Sequence, residues 1–548
     1  MPYVVTQSCC SDASCVVACP VNCIHPAPGE PGFAEAEMVY VDPDACVDCG
    51  ACATACPVDA VKPHTSLDAA ELPFVELNRL YYAAEPHADR TPMAIVPRRR
   101  KVAHPDVRVA VVGAGPAGMY AADELLRHPG VSVDVYDRLP TPYGLARAGV
   151  APDHQRTRGI TGLFGAIEEQ PGFRYRLNVE VGRHVGHDEL ARHYHAVVYT
   201  VGAADDRPLG IPGEDLPGSL SATAFVGWYN GHPDHQDALV DLGGDRVVLV
   251  GNGNVALDVA RILTTDPACL RDTDIAALPL AALRGSRVRE VVVLGRRGPD
   301  QASFTVPELV GLAGLEDVDV VVDTGGAPVL GRSPQARLLR ELAERPARGA
   351  DRRIVLRFLT APVAVLGEGA VSGVEVTRTR LVERDGQLRA EPTGETETLD
   401  AAMVLRSVGY RARPVAGLPF DEATGTVPHE RGRVSPGRYV AGWIKRGPTG
   451  FLGTNKSCAG ETVASLLDDL EQGLLPDPVG SRAALETMLA TAPTEVVDLA
   501  GWRAIDAEER RRGAAAGRPR VKLVDRTDLL HAARSAVPSS RKVLARSR

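Results

Sequence analysis

Short apolar runs followed by a glycine turn and an amphipathic stretch occur twice in the chain. The run VRVAVVG at 107–113 precedes PAGMYAADELLRH, whose apolar residues recur at helical spacing, and then VSVDVYD at 131–137. The same order returns in DRVVLVG at 245–251, NVALDVARIL at 254–263 and REVVVLG at 289–295. A strand, a glycine turn, a helix and a strand form a βαβ unit, which implies a parallel sheet. Two such units predict two dinucleotide-binding domains.

The regions outside these units are patterned differently. Residues 67–104 contain several prolines and the basic run RRRK that ends at Lys101, so we expect a linker with one docked turn. The RRRK run is either a solvated stretch, which is the usual case, or a partner site. Residues 526–548 are rich in Arg and Ser, and we expect a short helix that leads into a frayed basic tail.

The composition is that of an ordinary globular protein. The chain has 548 residues, 44% hydrophobic and 24% charged, which excludes a disordered or fibrous protein. No apolar stretch reaches the roughly 18 residues that a membrane span requires. A net charge of −9 disfavours nucleic acid as the main partner, since phosphate binding needs a basic surface. The N-terminus lacks the basic start of a secretory signal, so we expect a cytoplasmic protein.

Cysteines are concentrated near the N-terminus. Nine of the eleven lie between Cys9 and Cys56, and residues 1–66 hold eight acidic side chains against the single base Lys62, a net charge of −7. A disulfide framework would need an export signal, so this cluster indicates metal binding. The run CVDCGACATACP at 46–57 has the spacing of bacterial ferredoxins, in which three cysteines hold one cluster and the fourth reaches the other.

The run CCSDASCVVACP at 9–20 has the same frame, with Asp12 in the place of the second cysteine. Pseudo-symmetry then predicts two ligand sets: Cys46, Cys49, Cys52 and Cys19 for a [4Fe–4S] cluster, and Cys9, Cys15 and Cys56 for a second cluster. The second set lacks a fourth cysteine and predicts [3Fe–4S], or a second [4Fe–4S] cluster if Asp12 binds the fourth iron weakly. Cys10 and Cys23 lie outside the frame, and we expect buried free thiols.

A zinc ribbon is the alternative for paired CxxC motifs, but zinc sites rarely show this doubled frame. Residues 1–64 resemble the seven-iron bacterial ferredoxins.

The first glycine motif is Gly113-x-Gly115-x-x-Gly118, directly after a strand, and Asp137 ends the next strand. The glycines provide a tight turn, close approach of a pyrophosphate and helix packing, and the acid suits a ribose hydroxyl. Although a lone motif of this kind is weak evidence, the strand, helix and terminal acid together predict a dinucleotide site over a mere tight turn.

The second motif is Gly251-x-Gly253-x-x-Ala256. The following strand leads into Arg296 and Arg297. An acidic residue at this position would favour NADH, but none is present. Guanidinium groups there favour the 2′-phosphate of NADPH. The alternative is an ordinary surface arginine pair. Such pairs are common in proteins, but this interpretation is disfavoured at the end of the strand that follows a glycine motif.

Further segments carry a family resemblance. PTPYGLARAGVAPDHQ at 140–155, IPGEDLPG at 211–218, SATAFVGWYNG at 221–231 and GRYVAGWIKRGPTGFLGTNKSCAGETV at 437–463 resemble the adrenodoxin reductase family of NADPH–ferredoxin reductases. The resemblance covers about residues 105–525. It implies that the first motif binds FAD and that the chain returns to the FAD domain at its C-terminal end.

The resemblance also implies site residues. For FAD these are Ala114, Asp137, Leu145, Val181, Trp443, Gly450, Phe451 and Leu452, besides the glycines of the first motif. For NADP(H) they are Asn252, Gly253, Asn254, Val255, Arg296, Arg297, Glu308 and Gly450. A histidine and a glutamate near the nicotinamide correspond to His154 and Glu308, for which a catalytic role and a structural role are both open.

The sequence therefore predicts an α/β flavoprotein with two Rossmann-like domains behind a small α+β ferredoxin domain. The expected divisions are a ferredoxin domain at 1–66, a linker at 67–104, FAD-domain parts at 105–204 and 406–525, an NADP domain at 205–405 and the tail at 526–548. The expected enzyme is a ferredoxin–NADP+ reductase that takes hydride from NADPH onto FAD and passes single electrons to iron–sulfur clusters or ferredoxin acceptors. The alternatives are a subunit of a larger oxidoreductase, as in glutamate synthase, and a non-enzymatic scaffold.

Overall fold

The N-terminal module is a small α+β unit with two similar halves. The computed structural model describes residues 2–93 and 106–536, so the RRRK run and the end of the basic tail lie outside the described residues. The elements of the module are β1 Tyr3–Val5, α1 Ser14–Ala18, β2 Ile24–His25, β3 Tyr40–Val41, α2 Ala51–Ala55, β4 Val61–Pro63 and α3 Pro73–Ala84. β1 pairs with β4 and β2 pairs with β3, both antiparallel.

The two halves repeat the same backbone at an offset of 37 residues. The left-handed residue Ser11 (φ 58°) recurs as Asp48 (φ 58°). Helices α1 and α2 end at the last cysteine of each run with nearly equal dihedral angles, φ −74° and ψ 117° at Cys19 and φ −75° and ψ 118° at Cys56. The two cysteine runs therefore occupy equivalent positions in the two halves.

The region 67–104 differs from the linker that the sequence predicts, because α3 is a regular helix packed on the module. Phe74 and Leu77 are buried on its inner face, and Pro73 at its first position suits a helix start. Its apolar stripe is too short to stand out as a sustained periodicity in the sequence. The N-terminal module thus extends at least to the end of α3.

The rest of the described chain alternates strands and helices. The strands are β5 Val107–Val112, β6 Val131–Asp137, β7 Phe173–Leu177, β8 Ala196–Tyr199, β9 Asp205–Asp206, β10 Ser219–Ser221, β11 Arg246–Val250, β12 Glu290–Leu294, β13 Val318–Asp323, β14 Arg352–Arg357, β15 Thr360–Leu366, β16 Gly373–Arg384, β17 Gln387–Asp400, β18 Met403–Arg406, β19 Tyr410–Arg411, β20 Arg433–Ser435 and β21 Arg438–Val440. The helices are α4 Pro116–Leu126, α5 Leu145–Ala148, α6 Gln155–Arg158, α7 Ile160–Ile167, α8 His187–Ala191, α9 Ala222–Asn230, α10 Asn254–Thr264, α11 Ala277–Arg284, α12 Val306–Ala313, α13 Pro334–Glu344, α14 Trp443–Arg446, α15 Thr454–Glu471, α16 Arg482–Thr491, α17 Leu499–Ala516 and α18 Arg526–Arg534.

Two six-stranded sheets carry the two βαβ units. The first has the order β20-β21-β8-β5-β6-β7 and is parallel except for the edge pair β20–β21. The second, β10-β18-β11-β12-β14-β13, is parallel throughout. The chain leaves the first sheet after β8 and returns to it at β20, so the second sheet lies within an excursion from the first. Smaller sheets are β15-β16-β17 and β9-β19.

The N-terminal module packs against both sheet-bearing lobes. Cys10 and Val58 are buried in the same apolar cluster as Met119 of α4 and Phe164 of α7. On the other side, Val306 of α12 packs against the module's own core. Burial of apolar surface at both contacts fixes the module over the junction of the lobes. Within the described residues, no helix is long and apolar enough to cross a membrane.

Asn78 generates a prediction for the module's stability. Its side chain is 3% exposed and bonds to Val5 N, Val5 O and Val41 N at 2.8–3.2 Å. Asn78→Ala leaves these buried groups unpaired and should destabilise the module by about 2–4 kcal/mol. Hydrogen exchange of peptides that cover β1 and β3 should accelerate. Arg79→Ala, at the exposed next position, is the control; equal protection in both variants would contradict this role.

Candidate active site

A single cleft of about 1550 Å³ is lined by both glycine motifs and by the N-terminal module. This volume exceeds the roughly 300–1,000 Å³ of an ordinary small-molecule site. Gln7, Cys9, Cys10 and Glu37 contribute the module's part of the lining. The cleft therefore has room for more than one small ligand and reaches the first cysteine run.

The three glycines of the first motif have different environments. A Cβ at Gly113 (φ +112°) would lie 2.6 Å from Thr200 O, and one at Gly118 would lie 1.9 Å from Gly113 O. A Cβ at Gly115 would meet nothing within 4 Å, and Gly115 lines the cleft. Two glycines thus serve packing within the fold, whereas Gly115 keeps open a space at the N-terminus of α4, where an anionic group is favoured.

Asp137 lies at the end of β6 and lines the cleft. Its carboxylate accepts hydrogen bonds from Ala114 N at 2.8 Å and Leu139 N at 2.9 Å. Burial raises the pKa of Asp137 above its usual value, against the lowering effect of these backbone donors. Each oxygen keeps a second lone pair, so a sugar hydroxyl can still donate to it.

The C-terminal segment returns to the same cleft. The lining there includes Trp443, Gly450 (φ +78°), Phe451 and Leu452, and Leu145 and Val181 face it from the first lobe. Trp443 Nε1 donates to Thr449 O at 3.1 Å, which fixes the turn before the loop. Of the residues expected at FAD, Ala114 and Gly118 lie outside the lining, whereas the others are part of it.

The second glycine motif has the same division of roles. A Cβ at Gly251 (φ +107°) would lie 2.2 Å from Ser407 O, whereas one at Gly253 would meet nothing within 4 Å. All residues expected at NADP(H) line this part of the cleft. Arg296 and Arg297 are exposed at its rim and follow β12 after one intervening residue, Gly295.

His154 and Glu308 approach each other within a charged cluster that sequence reasoning missed. His154 Nε2 lies 3.9 Å from Glu308 Oε2. The buried Arg261 donates to His154 Nε2 at 2.8 Å and pairs with Asp153 at 2.6 Å and 3.0 Å. Because an arginine only donates, Nε2 must accept, which leaves the proton of the neutral ring on Nδ1. Arg261 therefore sets the tautomer of His154.

The ionisation of this cluster follows from burial and charge. Burial, together with the negative charge of Asp258, raises the pKa of Glu308 above its usual value. Burial opposes the ionisation of Asp153, but the Arg261 guanidinium outweighs it and holds the pKa of Asp153 well below its usual range. A signal for Arg261 was present in the sequence, since it is a base on an otherwise buried helix face.

The cysteines form two groups. Cys19, Cys46, Cys49 and Cys52 line one small cavity, together with Cys23. The thiol of Cys23 lies 3.4 Å from Cys19 Sγ, and this hydrogen bond lowers the pKa of Cys19 to about 5. Cys23 is therefore buried, as the sequence predicts, but it also forms a hydrogen bond with the sulfur of Cys19.

Cys9 lies in the lining of the main cleft, and Cys15 and Cys56 lie close enough for their charges to interact with it. Burial raises the pKa of Cys9 to about 11 and that of Cys52 to about 12. Free thiols there would be protonated at neutral pH, so a metal must displace their protons.

Comparison with known proteins identifies the family. A family model described as pyridine nucleotide-disulphide oxidoreductase matches residues 107–268, and one described as 4Fe-4S binding domain matches residues 39–62. A probable ferredoxin/ferredoxin–NADP reductase of Mycobacterium tuberculosis is 52% identical over 100% of this chain and 98% of that protein. The chain belongs to the ferredoxin/ferredoxin–NADP reductase family. The predicted fold class of this reductase and its resemblance to the adrenodoxin reductases are confirmed.

Other relatives match only the part of the chain that follows the N-terminal module. NADPH-ferredoxin reductase FprA of M. tuberculosis is 46% identical over 77% of this reductase and 98% of that protein. Human mitochondrial NADPH:adrenodoxin oxidoreductase is 44% identical over 77% of this reductase and 91% of that protein. The structure of FprA in complex with NADPH covers 78% of this chain and 99% of that chain, with a TM-score of 0.74 at 45% identity.

The open glycines give a prediction for cofactor binding. Gly115→Ala and Gly253→Ala should each weaken one dinucleotide by about tenfold or more, roughly 1.4 kcal/mol, because the new methyl group occupies the space of a phosphate. The first should affect FAD and the second NADPH, measured as dissociation constants, with the melting temperature of the apoprotein unchanged. Gly118→Ala is the contrasting variant, since its methyl group clashes with backbone. Unaltered affinities in the first two would refute these positions.

The arginine pair gives a prediction for nucleotide choice. Exchange of Arg296 and Arg297 for Gln should lower kcat/KM for NADPH much more than for NADH, because each lost charge-assisted hydrogen bond costs about 1.5–3 kcal/mol. Steady-state kinetics with both nucleotides measure the ratio. Arg332→Gln, an exposed change outside the cleft lining, serves as the control. Equal losses for the two nucleotides would exclude a 2′-phosphate contact.

Proposed function

We propose that this reductase transfers electrons from NADPH through FAD to its own ferredoxin module and on to a ferredoxin or another one-electron protein acceptor. The observation that carries the proposal is the shared cleft, which both glycine motifs and Cys9 line. The whole-length relative named as a ferredoxin/ferredoxin–NADP reductase supports it. Oxidoreductase chemistry with FAD, NADP and a 4Fe–4S cluster follows from the two family models and the names of the relatives.

The residues present fit the two dinucleotides. Gly115 and Gly253 leave open the places of the phosphates, Asp137 offers a ribose acceptor, and Arg296 and Arg297 offer cations at the cleft rim. When bound, NADPH would supply a hydride, and FAD would accept its two electrons together and release them one at a time. The protein's part is to hold the two reactants in register and to exclude water from between them.

His154 and Glu308 are proposed to position the nicotinamide end. Arg261 and Asp153 hold His154 in one tautomer, so its Nδ1–H is available as a fixed donor. Asn254 links the second glycine motif to the start of the helix that carries Glu308, through Thr305 N at 2.8 Å. The first contacts orient the His154 ring, and the last one fixes the start of the helix that carries Glu308.

For the clusters we propose the ligand sets that the cysteine spacing predicts. Cys19, Cys46, Cys49 and Cys52 line one cavity and would hold [4Fe–4S]. Cys9, Cys15 and Cys56 would hold the second cluster, as [3Fe–4S]. We further propose the FAD-domain parts at 105–204 and 406–525 and the NADP domain at 205–405, with the return of the chain to the first sheet at β20 as support.

An anaerobic NADPH titration tests the proposed function. Visible spectra should show loss of flavin absorbance, and EPR spectra should show reduction of iron–sulfur centres in the same chain. A protein that binds NADPH but shows no flavin bleaching, or reduced flavin with permanently oxidised clusters, would contradict the proposal.

Cys15→Ser gives a prediction for the electron route. Loss of this thiolate should remove the cluster nearest the cleft, so reduction of an added ferredoxin should fall by about tenfold or more, while NADPH oxidation by a small artificial acceptor continues. Stopped-flow and steady-state assays measure both activities. Cys269→Ser, at an exposed lone cysteine, is the matched control. Unchanged ferredoxin reduction in Cys15→Ser would show that external carriers dock at the flavin directly and that the module is a regulator.

A further inference from the structure

Asp12 takes the position of Cys49 in the other half of the module. The two residues are related by the 37-residue offset, within runs of equal spacing. Their surroundings differ, because Cys49 is exposed whereas Asp12 is 8% exposed. The halves have the same local backbone, so the difference comes from the reductase lobe that covers Asp12.

The carboxylate of Asp12 accepts hydrogen bonds on both oxygens. Its Oδ1 accepts from Ser14 N at 3.2 Å, and its Oδ2 accepts from the Ser14 hydroxyl and from Lys456 Nζ at 3.3 Å. Lys456 lies in the first turn of α15 and also donates to Ser14 Oγ at 2.8 Å. The ion pair therefore joins the first cysteine loop to the helix that follows the loop at 450–452.

The backbone around this pair leaves little freedom. Gly453 N donates to Cys10 O at 2.7 Å. A Cβ at Gly453 would lie only 2.2 Å from Asp12 N. This direct backbone contact fixes the cysteine loop against the start of α15 and brings the main chain of Lys456 within reach of Asp12.

We propose that Lys456 holds Asp12 as a docking contact, so that Asp12 is withheld from the cluster of Cys9, Cys15 and Cys56 and that cluster keeps three irons in the intact chain. The proposal rests on the proposed assignment of Cys9, Cys15 and Cys56 to this cluster. A fourth iron needs a further ligand, and the Asp12 carboxylate supplies one only when the ion pair is broken. Electrons balance, since one electron takes [3Fe–4S]⁺ to [3Fe–4S]⁰, which with Fe²⁺ gives [4Fe–4S]²⁺.

Three variants of the full chain test the proposal. Lys456→Met removes the cation and keeps the apolar stem, Lys456→Arg keeps the cation, and Arg79→Met breaks an exposed ion pair with Glu76 as the control. Each oxidised protein is first examined by EPR for the three-iron signal. It is then reduced with dithionite, titrated anaerobically with Fe²⁺, reoxidised and examined again.

The expected result is a gain of fourth-iron affinity in Lys456→Met alone. Lys456 competes with iron for the Asp12 carboxylate, so in Lys456→Met conversion should occur at roughly tenfold lower Fe²⁺ than in the wild type, in Lys456→Arg or in Arg79→Met. Adding Asp12→Asn to Lys456→Met should abolish the gain, because the amide is a poor iron ligand. A gain that survives in this double variant would show that opening of the site, and not the carboxylate, is responsible, and would overturn the proposal.

Two further results would also overturn it. One is a wild-type chain that contains four irons in this cluster, and the other is Lys456→Met with an unchanged Fe²⁺ requirement. Hydrogen exchange of the peptide that contains Gly453 reports docking independently of any cluster, and it should accelerate in Lys456→Met. If NADPH still reduces the clusters while these EPR results fail, the proposed function stands and only the role of Lys456 is refuted.

Discussion

The contact between the first cysteine loop and the start of α15 is the constraint on which the arrangement of the redox sites depends. A backbone hydrogen bond joins Gly453 to Cys10, and no side chain at 453 fits between the two segments. The loop at 450–452 lines the cleft from one side of this bond, and Cys9 lines it from the other. The separation between the loop at 450–452 and Cys9 is therefore set by main chain, which side-chain motion cannot relax.

A second contact ties the module to the lobe that carries the other glycine motif. Glu37 accepts a hydrogen bond from Val306 N at 2.8 Å, at the start of α12, and Gln7 Nε2 donates to Glu308 at 3.4 Å. Burial, with the nearby charge of Glu308, raises the pKa of Glu37 to about 7. Since the module is fastened to both lobes, any change in their relative orientation must also move the module or break one of these contacts.

The features of this structure that could be predicted from the sequence are those that depend only on residues close together in the chain. The strand at 131–137, the two glycine turns and the cysteine frames depend on neighbouring residues, and their bounds agree with the elements observed. Gln7, Glu37 and Lys456 depend on partners hundreds of residues away, and no local pattern distinguishes them from surface residues. Arg261 carried a weak signal as a charge on a buried helix face, but its partner His154 lies in the other lobe.

The two halves of the module have the same local backbone but different surroundings. One half is covered by the reductase lobes, and the other is exposed to solvent. The half with the first cysteine run is covered by the lobe that carries the first glycine motif, whereas the other half reaches solvent at Cys49, beside the exposed residues Val47, Asp44 and Asp48. Solvent exposure, net charge and hydrogen bonds to sulfur set the potential of an iron–sulfur cluster. On the proposed cluster assignment, repetition of one fold in two environments would give two electron carriers with different potentials. Acidic side chains around the exposed end would steer an acceptor that presents a basic face, because complementary charge mainly raises the rate of encounter.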